Sequence, residues 1–172
     1  MIHLYIGNGK GKTTAAVGLA ARAWGHGKNI LFVRFLKSGF SGELKSLDTL
    51  GIRVLGTEKN LGFTFTMNDD EKLICKTEQE KLFETARQAL INNTPHYDML
   101  VLDEIVDAID AGMISETMLR DLLESYRESV EIVMTGHSAP RGLIDIIDYI
   151  SEVKKIKHPF DKGIAARNGI EK

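Results

Sequence analysis

The eight residues Gly7-Asn8-Gly9-Lys10-Gly11-Lys12-Thr13-Thr14 constrain this chain more than any other stretch. An apolar run, residues 2–6, precedes them, and an alanine-rich stretch, 13–24, follows and stops at Gly25-His26-Gly27. The order is strand, glycine loop, helix. Glycines at alternate positions let the backbone curl until successive N–H groups face inward. With the N-terminus of the following helix they form a cradle for an anion. Lys12 adds a full positive charge, and the Thr13 hydroxyl stands where a phosphate-bound Mg²⁺ finds a ligand. The usual pattern has four residues between its first glycine and Gly-Lys-Thr. Here three intervene, Asn8, Gly9 and Lys10, so the loop is a variant shortened at its entry.

The rest of the chain continues the alternation. Residues 29–35, 52–55, 99–102 and 130–134 read as strands. Asn68 reads as an N-cap with Glu71 three residues on, opening a long helix to about Asn92. Ser115 opens another, with Leu119, Leu122, Leu123 and Tyr126 on one face. Leu143, Ile146, Ile147 and Ile150 suggest a further helical stripe, and residues 152–156 a last strand. Unbroken apolar strands alternating with helices predict an α/β fold, a mostly parallel sheet with helices on both faces. Its length of 172 residues and 43% hydrophobic content suit one domain spanning residues 1–172. Cys75, seven residues before Leu82, shares that helix face and reads as a packing thiol. As the sole cysteine it cannot form an internal disulfide, which favours a reducing, cytoplasmic setting.

The unusual residues gather at the carboxyl ends of these strands, the edge where open α/β sheets bind ligands. Gly7 follows the first strand and Lys37 the second. Asp103 and Glu104 follow residues 99–102, and Thr135, Gly136 and His137 follow 130–134. Asp103 at the end of an apolar run predicts a Mg²⁺ contact beside the phosphate loop. Glu104 has two readings. In an ATPase it would activate water; otherwise it is another metal or substrate contact. ATP fits better than GTP, because no Asn-Lys-x-Asp guanine reader occurs. The arginines are too scattered for the lid of a small-molecule kinase. A net charge of −2 and a pI near 6.2 do not suit a nucleic-acid binder. No apolar run is long enough to span a bilayer, and the N-terminus lacks a signal-peptide layout.

The loop and its helix, GNGKGKTTAAVGLAARAWGHGKN (7–29), are followed by VRFLK (33–37), GFTF (62–65), VLDEI (101–105), TGHSAPR (135–141) and KHPFDKGIAARNGIE (157–171). In order and spacing this set resembles the P-loop ATP:cob(I)alamin adenosyltransferases, or corrinoid adenosyltransferases, across essentially the whole chain. The resemblance implies a RecA-like P-loop fold, a homodimer, and Mg²⁺ and ATP with a reduced corrinoid as co-substrate. It implies transfer of the 5′-deoxyadenosyl group to cobalt with release of triphosphate, and a reductant partner, expected to be a flavoprotein. Reduced cobalt is itself the nucleophile, so no catalytic side chain is required to attack. Lys12, the loop amides and Mg²⁺ on Thr13 would stabilise the leaving group. By resemblance, Gly7, Asn8, Gly9, Lys10, Gly11, Lys12, Thr13, Thr14 and Arg22 bind ATP, and Thr13, Asp103 and Glu104 hold the metal. Phe63, Phe65 and His137 bind the corrinoid. Alternatives stand beside three of these. Arg22 also reads as an exposed helix charge. Phe63 and Phe65, at i, i+2, also read as core residues of one strand face. The basic tail from Lys154 reads either as a solvated run or as a cover over the bound substrates.

The sequence departs from the family in three places. His137 stands where the family carries an arginine. Two readings follow: Arg141 compensates for the lost charge, or the phosphate contacts are weaker and pH-dependent, and the second predicts that ATP binding weakens as pH rises from about 6 to about 8. Phe65 replaces a common tryptophan. The sequence as read starts at its first strand without the arm that some members carry, which predicts a more open corrin site or a roof from the partner subunit. Two other functions fit the phosphate loop alone: a RecA-like ATPase releasing ADP and phosphate, and a non-catalytic carrier of nucleotide or corrinoid.

Overall fold

Strand and helix residues sort by side-chain period. In the second strand Ile30 and Phe32 point to one face of the sheet, and Leu31, Val33 and Phe35 to the other. Both sets are buried, as a parallel sheet covered on both sides requires. The computed structural model describes residues 1–39, 41–57 and 66–170. Its elements run β1 Ile2–Ile6, α1 Lys12–Trp24, β2 Ile30–Ser38, α2 Gly42–Thr49, β3 Arg53–Thr57, α3 Asp69–Asn92, β4 Met99–Asp103, α4 Ile105–Asp110, α5 Glu116–Tyr126, β5 Glu131–Thr135 and β6 Tyr149–Glu152. The strands form one six-stranded sheet in the order β3-β2-β4-β5-β1-β6. Every pairing is parallel.

α1 and α2 cover one face. Ala16 and Ala20 let the helix after the glycine loop lie close against Phe32, Val101 and Val133, and Leu47 of α2 joins them. α3, α4 and α5 cover the other face with Phe83, Ile105, Leu119 and Leu123 among the largest buried groups. Each such side chain contributes about 1.5–3 kcal/mol on burial. Asn68 caps α3 through a reciprocal capping box with Glu71, as the sequence predicts. Cys75 is buried on α3, where burial pushes its thiol pKa up, in keeping with a packing role.

Two expectations are corrected. The stripe Leu143, Ile146, Ile147, Ile150 is not a helix. It breaks into a single 3₁₀ turn, Ile144–Ile146, and then β6. The Asp148 carboxylate accepts the Ile2 N–H at 2.7 Å and draws the chain onto β1, so Ile150 lies in the ladder opposite Leu4. Apolar spacing of 3, 4 and 7 is helix-like, but the backbone partners here belong to another strand. The strand expected at 152–156 therefore ends at Glu152, and Val153 and Lys155 pack on the glycine loop instead. α2 and α4 are not apparent in the sequence. α2 buries only Leu47, and α4 is six residues long, so neither shows a full apolar period.

Candidate active site

Read along the carboxyl edge in sheet order, the strands present Lys37 (β2), Asp103 (β4), Thr135 (β5), Gly7 (β1) and Val153 just after β6. The glycine loop, residues 7–11, lies between the last two. Gly7 N–H donates to the His137 carbonyl at 3.1 Å and Gly9 N–H to the Val153 carbonyl at 2.8 Å. The Asn8 side-chain oxygen accepts from Lys155 N–H at 2.9 Å. The loop is thus floored by the chain leaving β6. That contact explains two of the glycines. A Cβ at Gly7 would fall 2.3 Å from the Val153 carbonyl oxygen, and one at Gly9 2.8 Å from it. Gly7 also has φ +112, which L side chains rarely adopt. Gly7→Ala is expected to destabilise the protein by more than ~2 kcal/mol, and Gly9→Ala by less, because only Gly7 adds backbone strain to the clash. Urea denaturation of the two variants checks the order; equal, near-zero losses would refute the floor contact.

The Lys12 ammonium folds back onto the loop, donating to the carbonyls of Gly7 at 2.7 Å and Gly9 at 3.2 Å. Thr13 donates its hydroxyl proton to Asp103 Oδ1 at 2.9 Å, and Thr135 donates to the same oxygen at 2.8 Å. Thr135 in turn accepts the Glu104 N–H at 2.8 Å. Asp103 is completely buried, at 0% exposure.

Lys37 completes this cluster. Its ammonium lies 2.9 Å from Asp103 Oδ2, 3.0 Å from Glu104 Oε1 and 3.1 Å from Thr13 Oγ1. Burial alone would lower its pKa, but the two carboxylates outweigh it and hold the pKa above the usual lysine value. Burial raises the pKa of Glu104, with Lys37 pulling the other way. Both neighbours are bent into place. Leu36 has φ 56 and Glu104 φ 60, left-handed conformations costly for non-glycine residues. The Leu36 N–H is held by the buried Gln79 side chain at 3.1 Å, and the β2–β3 register shifts between Arg34 and Ser38. The bend carries Lys37 over Asp103. From sequence, Lys37 and Thr135 fall at this edge without a role. A lone lysine closing an apolar strand was the available signal.

The donor set suits a hard divalent cation. A threonine hydroxyl and two carboxylates converge on one point, and a lysine ammonium already sits among the three oxygens. Among the described residues no group of three or more His, Cys, Asp or Glu side chains is placed to hold a metal alone. Such an ion would therefore need phosphate oxygens and water as its other ligands.

The other residues singled out from sequence fall less centrally. Lys10 and Thr14 flank the loop turn and the first turn of α1. Arg22 is exposed in the last turn of α1, about 15 Å along the helix from Lys12. The structure does not bring it to the loop. His137 gives its carbonyl to Gly7, but its ring, 70% exposed, turns to Asp107 of α4 with Nδ1 2.6 Å from Oδ1. Gly136 is needed there, since a Cβ would lie 2.4 Å from Val106 Cβ. Phe63 and Phe65 lie outside the described residues.

Residues 1–171 match the family model described as ATP:corrinoid adenosyltransferase BtuR/CobO/CobP. The chain belongs to the ATP:corrinoid adenosyltransferase family. It is 34% identical over 176 residues to corrinoid adenosyltransferase CobA of Salmonella typhimurium, a match covering 99% of this chain and 85% of that protein. The corrinoid adenosyltransferase of Escherichia coli strain K12 is 32% identical over the same shares, and that of Pseudomonas aeruginosa 31% identical over 98% of this chain and 81% of its own length. As an ATP:corrinoid adenosyltransferase, the chain transfers the adenosyl group of ATP to the cobalt of cob(I)alamin. ATP and a corrinoid are its substrates. Among the described residues no helix is long and apolar enough to cross a membrane.

Proposed function

We propose that the glycine loop takes the triphosphate of ATP and that Thr13, Asp103 and Glu104 hold Mg²⁺ on it, with C5′ of the ribose offered to cobalt. Cobalt(I) attacks C5′: the Co–C bond forms, the C5′–O bond breaks, and its electron pair leaves on triphosphate as cobalt becomes formally Co(III). Mg²⁺ would supply charge neutralisation on the phosphates. The protein's own residues align the partners and receive the leaving charge. Lys12 exchanges its two loop carbonyls for phosphate oxygens, and the loop amides of Asn8, Lys10 and Gly11 are offered to the same group, that of Gly9 being held by the Val153 carbonyl. Thr14 extends this set on the first turn of α1.

The observation that carries transfer over hydrolysis is Lys37. Glu104 is the residue that would activate water in an ATPase, and here it is ion-paired to Lys37 at 3.0 Å. A carboxylate held to a cation, Lys37 here and Mg²⁺ in the proposed loaded site, is poorly placed to accept a proton from water.

The tail from Lys154 is proposed to cover the bound substrates. Its start is anchored on the loop through Asn8, and Ile156 and Phe160 stand exposed beyond that anchor. Phe63 and Phe65 are proposed to face the corrin and displace its lower ligand, and His137 to border it. Arg22 reaches nucleotide only if the base extends along α1. We further propose one domain over residues 1–172, a cytoplasmic homodimer, and a flavoprotein as reductant.

The test is one anaerobic incubation of the purified protein with Mg²⁺, ATP and cob(I)alamin. The expected result is a photolabile alkylcobalamin spectrum and stoichiometric triphosphate. ADP and orthophosphate with unchanged corrinoid would overturn the proposal. Phe63→Ala and Phe65→Ala are expected to leave ATP affinity unchanged and to impair transfer selectively when cob(II)alamin must first be reduced.

A further inference from the structure

One ionised group at the strand ends has no place in this chemistry. Arg34 lies on β2, directly opposite Asp103 in the ladder, on the face that carries Ile30 and Phe32. It is only 5% exposed. Among the described residues it forms no ion pair. Its Nη1 reaches the Gly39 carbonyl at 3.4 Å, and its Nε has no hydrogen-bond partner at all. A buried guanidinium with no ion-pair partner is costly. The unmade bond at Nε adds to that cost. The neglected edge matters, because Nε and Nη2 together form the fork that grips an oxyanion with two parallel hydrogen bonds.

Arg34 lines a groove of ≈ 700 Å³ between α2 and β3, together with Leu44, Asp48, Arg53, Gly56 and Thr57 among others. Arg53 pairs with Leu31, so its side chain leaves β3 on the opposite sheet face, where its guanidinium donates to the Tyr97 hydroxyl at 3.1 Å, and Arg34 is the guanidinium on the groove's own face. Asp48 is the acid in the lining, and it forms no ion pair with Arg34. Gly56 stands next to Arg34 with no side chain. A Cβ there would meet only Arg34 backbone O at 3.8 Å and Arg34 Cβ at 3.9 Å, so the space is open rather than sterically required. Neither Lys12 nor Thr13 borders this groove.

We propose that the groove between α2 and β3 is a second anion site, separate from the phosphate loop, and that it takes a phosphoryl or carboxylate oxyanion on the Arg34 guanidinium, whose free Nε–H turns to it on binding. The proposal stands independently of the transfer reaction, and its test does not use activity.

The test is the Nε–H resonance of Arg34 in ¹⁵N-labelled full-length protein, identified by its loss in Arg34→Met, during titration with inorganic phosphate and, separately, acetate. Saturable movement is expected with at least one probe. Phosphate alone assigns a phosphoryl ligand, acetate alone a carboxylate, and both a general oxyanion site. Gly56→Val, which a strand accommodates and which fills the groove, is expected to abolish the movement while phosphate-induced shifts of the loop amides persist. A parallel readout is melting temperature. The anion-dependent rise of the wild type is expected to shrink equally in Arg34→Met and Gly56→Val. A resonance that neither probe moves, or that moves unchanged in Gly56→Val, would overturn the site. So would an anion-dependent stabilisation identical in all three proteins.

Discussion

Lys37→Met is expected to lower kcat/KM for adenosyl transfer by about 10²- to 10³-fold, the loss typical of removing one preorganised group that stabilises developing negative charge. The ammonium stands among Asp103, Glu104 and Thr13 at 2.9–3.1 Å. It is the cation nearest the oxygens proposed for Mg²⁺. Once those oxygens have another partner, a long flexible side chain at the lip of the loop is free to turn to the phosphates, where the leaving charge collects. The same geometry predicts a second effect with a separate readout. In the nucleotide-free variant the two carboxylates lose their resident cation, so Mg²⁺ binding by calorimetry is expected to tighten about tenfold or more. Lys37→Arg keeps the charge but spreads it over a planar fork, and is expected to recover the weak Mg²⁺ binding but not the full rate. If Lys37→Met transferred adenosyl at the wild-type rate and bound Mg²⁺ no better, Lys37 would be reduced to a structural support for Asp103.

Lys37 escaped assignment from sequence for a reason that lies in the physics of the site. The glycine loop is legible because its function is local: alternating glycines, a lysine and a hydroxyl act through their own backbone within one turn. Asp103 is legible for a similar reason, as a carboxylate closing an unbroken apolar strand. Lys37 meets Asp103 only through the lateral register of β2 on β4 and a left-handed bend at Leu36. Neither is written in the residues near Lys37. The same holds for the floor of the loop, since Val153 and Lys155 contribute backbone groups that any residue could supply. The alternation of strands and helices was sufficient for the parallel α/β fold. It failed at residues 143–150, where an apolar spacing shared by helix and strand was decided by a single side chain, Asp148, bonded to β1. His137 shows the reverse limit. Its position at the sheet edge was readable, but the direction of its ring depends on Asp107 of a six-residue helix with too little pattern to detect.

Asp103→Asn should lose both stability and activity, and the two losses have different origins. All three partners of this carboxylate are donors: the hydroxyls of Thr13 and Thr135 on Oδ1, and the Lys37 ammonium on Oδ2. An asparagine has one oxygen. If that oxygen keeps the two hydroxyls, its amide group faces the lysine, donor against cation. If it keeps the lysine, both hydroxyl protons face N–H groups. Breaking a fully buried ion pair costs about 3–5 kcal/mol. Lys37 is 26% exposed and retains Glu104, so the expected loss is smaller, about 2–3 kcal/mol in urea denaturation. The double variant Lys37→Met/Asp103→Asn should lose less than the sum of the single variants, with a coupling of about 1–3 kcal/mol, because the stranded cation is gone. Activity should fall in every variant that lacks Asp103. With its acceptor removed, Thr135 has no fixed hydroxyl direction from which to hold the Glu104 N–H, and Glu104 keeps a left-handed backbone only while that bond restrains it. Strict additivity of the two substitutions would show that Lys37 and Asp103 act separately, and would remove the basis for treating the lysine and the carboxylates as one charge-handling unit.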